Sequence, residues 1–155
     1  MVLVKQKLRR IRTKWLLKIK EGVTKQLKVG FIKPIHQAEW IANVVLVPKK
    51  DGKVRMCVDF RDLNKACPKD DFPLPHIDVL VDNMAGSALM SFIDGFSGYN
   101  QIKKAPKDMT KTSFTTEWGI YYYTTMLFGL KNVGATYQGM ATALQHDMIH
   151  NEVEL

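Results

Sequence analysis

Apolar positions recur at helical spacing in Leu16, Ile19, Val23 and Leu27, so the pattern predicts a helix over Lys14 to Val29, with Gly30 as its C-terminal cap. The opposite face carries Lys14, Lys18, Lys25 and Lys28. The pattern then changes. Val44 to Val47 reads as a buried strand, Pro48 to Gly52 as a turn, and Lys53 to Phe60 as a returning strand, which makes a hairpin around Asp51-Gly52. Cys67 to Pro75 is a proline-punctuated, extended connection. His76 to Met84 reads as a short helix with Ile77, Leu80, Val81 and Met84 on one side. Leu89 to Asp94 is an expected strand ending on a carboxylate. Lys111 to Thr116 and Ile120 to Leu127 form a second expected hairpin across Glu117-Trp118-Gly119. Gly134 to His150 is an expected helix with Tyr137, Met140, Leu144 and Met148 inward, and Val153 to Leu155 looks like the start of another strand.

This order of elements gives an α+β fold. The 155 residues suffice for one domain with one sizeable core, and no repeat or low-complexity segment interrupts them. No apolar run approaches the length of a membrane span. Cys57 and Cys67 lack metal-type spacing and fit a reducing compartment, so the expected location is intracellular, in cytoplasm, nucleus or organelle. The net charge of +8 is uneven: residues 1–33 hold eleven Lys or Arg against the single acid Glu21, and the remainder is slightly acidic. A basic arm on a near-neutral body points to an anionic partner, most often nucleic acid. A solvated basic helix and an organelle transit peptide are the alternatives.

Chemistry is concentrated around Ser91-Phe92-Ile93-Asp94-Gly95-Phe96-Ser97-Gly98-Tyr99, where an apolar run ends on Asp94 before a small-residue turn and an aromatic. Taken alone, Asp94 reads more readily as a turn or helix-cap aspartate than as a metal ligand. Three further blocks change that reading: Lys49 to Lys65, Phe72-Pro73-Leu74-Pro75-His76-Ile77-Asp78, and Phe128-Gly129-Leu130-Lys131-Asn132 with Ala135-Thr136-Tyr137-Gln138. In this order and spacing the chain resembles the reverse transcriptases of gypsy-type LTR retrotransposons, plant elements in particular, over residues 5–154.

The resemblance implies a fingers subdomain over about residues 1–88 and a partial palm over about 89–155. The implied reaction is template-directed addition of dNTP to a primer with two Mg²⁺ ions, on an RNA or DNA template. It implies that Asp94 is the catalytic carboxylate and metal ligand. Arg55 would reach the triphosphate, with Lys49 and Lys50 as point charges; Tyr99 would lie under the sugar and exclude a 2′-hydroxyl; Phe128 and Gly129 would border the nucleotide. Asp59, Arg61 and Asn64 would brace the fingers or touch template and primer. A surface-strand arginine and a core tyrosine remain the competing readings of Arg55 and Tyr99.

The chain also departs from the family pattern. The strand bearing Tyr-x-Asp-Asp, with the other two metal ligands, would begin where the sequence reaches Val153-Glu154-Leu155. Leu127 stands where the pattern has proline, and Gly139 lies inside the last helix where the family tends to carry a longer side chain. The expectation is a catalytically incomplete retrotransposon relic with no polymerase activity alone. A non-catalytic nucleic-acid-binding module, and a polymerase completed by residues from elsewhere, are the rivals. His146-Asp147-Met148-Ile149-His150 has the outline of a zinc-protease helix, but Asp replaces Glu and no third ligand is evident.

Overall fold

A computed structural model describes residues 4–50 and 52–155. The expected first helix forms as α1 (Thr13–Lys28), with Ile19 and Val23 buried and Lys25 and Lys28 in its last turn, where cations favour the helix dipole. The first hairpin forms as β2 (Ala42–Pro48) and β3 (Val54–Val58), paired antiparallel with Val47 opposite Arg55 and Leu46 opposite Met56. Asp51 of the expected turn lies outside the described residues. The second hairpin forms as β4 (Phe114–Thr116) and β5 (Gly119–Tyr123), preceded by a helical turn at Thr110–Thr112.

The two hairpins join into one five-stranded sheet in the order β1-β5-β4-β2-β3. Its β2–β4 contact is parallel, pairing Ala42 with Phe114. Strand β1 (Ile32–Ile35) was not expected from the sequence. It carries Pro34, which removes a ladder donor and is tolerated on this edge of the sheet. The core gathers where α1 covers the sheet: Ile19, Val23, Ile32, Val44, Phe60, Phe114 and Tyr123 are buried together. Phe114 is fully buried and packs against the rings of Tyr121 and Tyr123.

Residues preceding α1 also dock. Gln6 donates from its backbone to the Ile41 carbonyl, and its side-chain oxygen accepts from the Asn43 backbone at 2.9 Å. Asn43 in turn donates to the Lys7 carbonyl and accepts from the Arg9 backbone. The amino-terminal arm is therefore stitched to β2 by two amides.

Beyond β3, α2 (Arg61–Ala66) occupies six residues, too short to leave a periodic signature. The extended connection leads to α3 (Ile77–Met84), and α4 (Gly98–Gln101) and α5 (Pro106–Met109) are single turns. The last helix, α6, spans Val133–Leu144 and stops six residues before the expected end at His150.

The expected strand at Leu89 to Asp94 does not form. A strand needs a partner for its backbone, and no described residue pairs with this segment. Leu89, Phe92, Ile93 and Phe96 are each at least 87% exposed. The expected strand at Val153 to Leu155 reduces to a single bridge between Ile149 and Val153. His146 and His150 do not share a helix face; His150 lies at φ 65 and pairs with Glu154 at 3.1 Å, so the zinc-helix outline has no structural counterpart.

Candidate nucleotide and nucleic-acid site

Asp94 sits on an exposed segment without regular structure rather than at a strand end, and the turn behind it is held tightly. Gly98 donates to the Gly95 carbonyl at 3.0 Å, Asn100 to the Ser97 carbonyl at 2.8 Å, and the Gln101 side chain to the Phe96 carbonyl at 2.7 Å. Tyr137 from α6 lies against this turn. A Cβ added at Gly98 would lie 2.7 Å from a Tyr137 ring carbon, and one added at Gly95 would overlap the Tyr137 hydroxyl. The two glycines are thus required by close approach.

Tyr99 follows the turn and packs edge-on against Phe128, with ring centroids 4.7 Å apart, and against Tyr137 at 5.2 Å. Phe128 itself is 74% exposed, so one side of this aromatic cluster faces solvent. Gly129 has φ 96, a conformation that L side chains rarely adopt, which explains glycine at this corner.

Asn64 does not point away as a free template contact. Its amide donates to the Gly129 carbonyl at 2.7 Å and accepts from the Lys131 backbone at 2.9 Å. Lys131 donates to the Cys67 carbonyl, and Asn132 bridges the Pro68 carbonyl and the Asp70 backbone. This latch ties the Phe128 to Asn132 loop to the end of α2. Nothing in the sequence marks it, because its partners are backbone groups.

Asp59 and Arg61 act on each other. The Arg61 guanidinium forks onto both carboxylate oxygens at 2.8 and 2.6 Å, and Arg9 adds a contact at 3.0 Å. The Arg61 hydrogen bonds, against the opposing cost of burial, hold the Asp59 carboxyl down at about 2. Arg55 lies on β3, exposed, and Lys49 and Lys50 are exposed at the hairpin end. These three are not in the same cluster of packed side chains as Tyr99 and Phe128. Among the described residues no group of three His, Cys, Asp or Glu side chains is arranged to hold a metal ion. Asp94 offers one hard oxygen ligand, which suits Mg²⁺, but the described residues do not make a two-metal site.

The tightness of the Asp94 turn is testable. Gly98→Ala should destabilise the protein by about 1–3 kcal/mol through overpacking. Combining it with Tyr137→Leu should recover part of that loss in urea unfolding. Strict additivity of the two changes would show that the ring and the turn do not press on each other.

Residues 47–154 match the family model "Reverse transcriptase (RNA-dependent DNA polymerase)". The chain belongs to the reverse transcriptase family. The retrovirus-related Pol polyprotein from transposon 412 of Drosophila melanogaster is 34% identical over 130 residues, covering 80% of this chain and 10% of that protein. An RNA-directed DNA polymerase homolog of Oenothera berteroana is 33% identical over 100 residues, covering 64% of this chain and 70% of that protein. The chain spans 10–13% of the length of the three Drosophila transposon polyproteins it matches. The fold agrees: the foamy viral protease–reverse transcriptase in complex with RNA/DNA hybrid superposes with a TM-score of 0.78 at 22% identity, over 96% of this chain and 20% of that one. The α+β architecture expected from the sequence is that of the reverse transcriptases. No helix among the described residues is long and apolar enough to cross a membrane.

Proposed function

We propose that this chain is the nucleotide- and template-binding portion of a gypsy-type, plant-like LTR-retrotransposon reverse transcriptase. One observation carries the reading: the Asp94 turn, Tyr99, Phe128-Gly129 and Asn64 come from separate sequence blocks and meet through Tyr137 and the Asn64 latch. In this reading about residues 1–88, with the β4–β5 hairpin that pairs with them, form the fingers, and the rest of 89–155 forms part of the palm. Relatives of this fold bind RNA/DNA hybrid and double-stranded DNA, and template–primer and dNTP are the proposed ligands here.

The residue roles follow from chemistry. Arg55 presents a planar, permanently charged fork suited to phosphate oxygens, with Lys49 and Lys50 adding charge at the hairpin end. Tyr99 supports the sugar, its ring held by Phe128 and Tyr137, and crowds out a 2′-hydroxyl. Phe128 and Gly129 border the nucleotide. Asp59 and Arg61 brace the docked arm, and Asn64 positions Gly129. Asp94 contributes one carboxylate toward Mg²⁺.

The test is equilibrium binding of dNTP in the presence of template–primer and Mg²⁺. Arg55→Gln should weaken binding about 10- to 100-fold, the worth of one charge-assisted hydrogen bond. Binding that is indifferent to Arg55 would remove the hairpin from the nucleotide site.

A further inference from the structure

The β2–β3 hairpin has two faces, and the candidate nucleotide-binding side chains use one of them. Paired residues of antiparallel strands share a face, and successive residues alternate. Arg55, opposite Val47, is therefore on one side, and Leu46 with Met56 and Pro48 with Val54 are on the other. That second face is the one α1 covers, since Gly22 of α1 lies against Met56. Near the amino-terminal end of α1 the cover is incomplete and leaves a cleft of about 330 Å³.

Arg9, Arg10, Arg12 and Trp15 form one wall of this cleft, and Val44, Leu46 and Val54 supply its apolar floor. Among the described residues no acidic side chain lines it. Arg10 and Arg12 are exposed and make no ion pair among the described residues. Arg9 gives one nitrogen to Asp59 and is still half exposed. The arm that carries them is fixed by Gln6 and Asn43, so the backbone presenting the three arginines is docked on β2.

We propose that this cleft binds single-stranded nucleic acid, with phosphates on the arginines and an unpaired base against Trp15 and the aliphatic floor. The charge selects a polyanion. The apolar floor selects among polyanions, because a duplex presents phosphates and sugars outward while a single strand can also offer the flat face of a base. The volume falls within the range of about 300–1,000 Å³ that holds small organic groups. The proposal extends the nucleic-acid reading above to a second site, on the hairpin face opposite Arg55, which shares no residue with the Tyr99–Phe128 cluster.

The experiment is fluorescence anisotropy of a labelled oligodeoxythymidine with the whole protein across a salt series, with each variant checked for an unchanged thermal melt. Arg10→Gln/Arg12→Gln should reduce the slope of log affinity against log salt by about 1.4, roughly 0.7 for each phosphate no longer neutralised. Lys25→Gln/Lys28→Gln removes equal charge at the far end of α1 and should leave the slope near wild type. Trp15→Leu should weaken the single strand about tenfold while leaving a duplex of equal length unchanged. Polyglutamate should compete poorly. An equal slope loss from the two double variants, equal weakening of single strand and duplex by Trp15→Leu, efficient displacement by polyglutamate, or no oligonucleotide binding would each overturn the proposal. Measuring dNTP binding to Arg55→Gln in parallel separates the sites: a normal Arg55 effect beside a failed cleft leaves the nucleotide reading standing.

Discussion

Phe114→Ala is expected to bring the protein close to unfolding. Phe114 is fully buried, stacks at a tilt on Tyr121 and Tyr123, and sits on β4, the strand that joins the two hairpins into one sheet. Removing a buried phenyl ring costs about 3–5 kcal/mol, from lost transfer energy and from the cavity left behind. Small domains have about 5–15 kcal/mol in total. The consequence reaches the proposed site, because β4 is what connects the Arg55 hairpin to β5 and the segments beyond it. Urea unfolding should show a greatly lowered midpoint, or no folded baseline. A change under about 1 kcal/mol would mean that the joint between the hairpins is not central to stability.

A second large effect concerns alkaline pH. Lys104 is buried, and its ammonium donates to the Thr112 hydroxyl at 2.6 Å. Burial depresses its pKa from 10.5 to about 7. The unfolded chain therefore binds this proton more tightly than the folded one does. Stability from this group should rise as pH climbs from about 7 toward 10.5, and level off beyond. Tyr123 works in the opposite sense. Burial raises its pKa from 10 to about 12, so its contribution is intact below pH 10 and is lost as pH rises through 12. The pair predicts a stability maximum near pH 10. Against wild type, Lys104→Met should lose the rise above pH 7, by a few kcal/mol, and Tyr123→Phe should lose the fall above pH 10. Parallel curves for wild type and Lys104→Met would show that the amine is not desolvated.

The local elements were legible in the sequence because each leaves a local trace. Ile19 and Val23 recur at helical spacing, and the Val44 to Val47 and Ile120 to Tyr123 runs are β-rich and turn-bounded. What escaped was set at long range. Strand β1 is four residues with a central proline and exists because β5 receives it. The parallel pairing of β2 with β4 joins residues 72 positions apart, at Ala42 and Phe114. The Leu89 to Asp94 run has the composition of a strand but no described partner, and composition alone does not make a ladder.

The candidate site divides the same way. Asp94, Tyr99, Phe128 and Gly129 stood out because they sit in recognisable blocks. The Asn64 latch and the Gln6–Asn43 stitching did not, since amides bonding to backbone groups look like any surface asparagine or glutamine. Asn64 and Asp59 are engaged with neighbouring groups, whereas Arg55 and Phe128 are exposed and Tyr99 is half-buried, which in the proposed reading leaves these three the surface for a ligand.

Leu89, Phe92, Ile93 and Phe96 form a run of exposed apolar side chains, the kind of surface that drives association. Phe92→Ser/Ile93→Ser should raise the concentration at which the protein stays monodisperse in light scattering. No change would mean that this run does not govern its association.

We propose that this chain binds template–primer and dNTP, while its described residues present one carboxylate, Asp94, rather than a two-metal site. The most direct test is primer extension by the purified chain with template–primer, dNTP and Mg²⁺, beside a binding measurement on the same sample. Salt-sensitive binding and no extended product are the expected results. Extension that Asp94→Asn abolishes would contradict the claim, and would mean that this chain assembles a working metal site by itself.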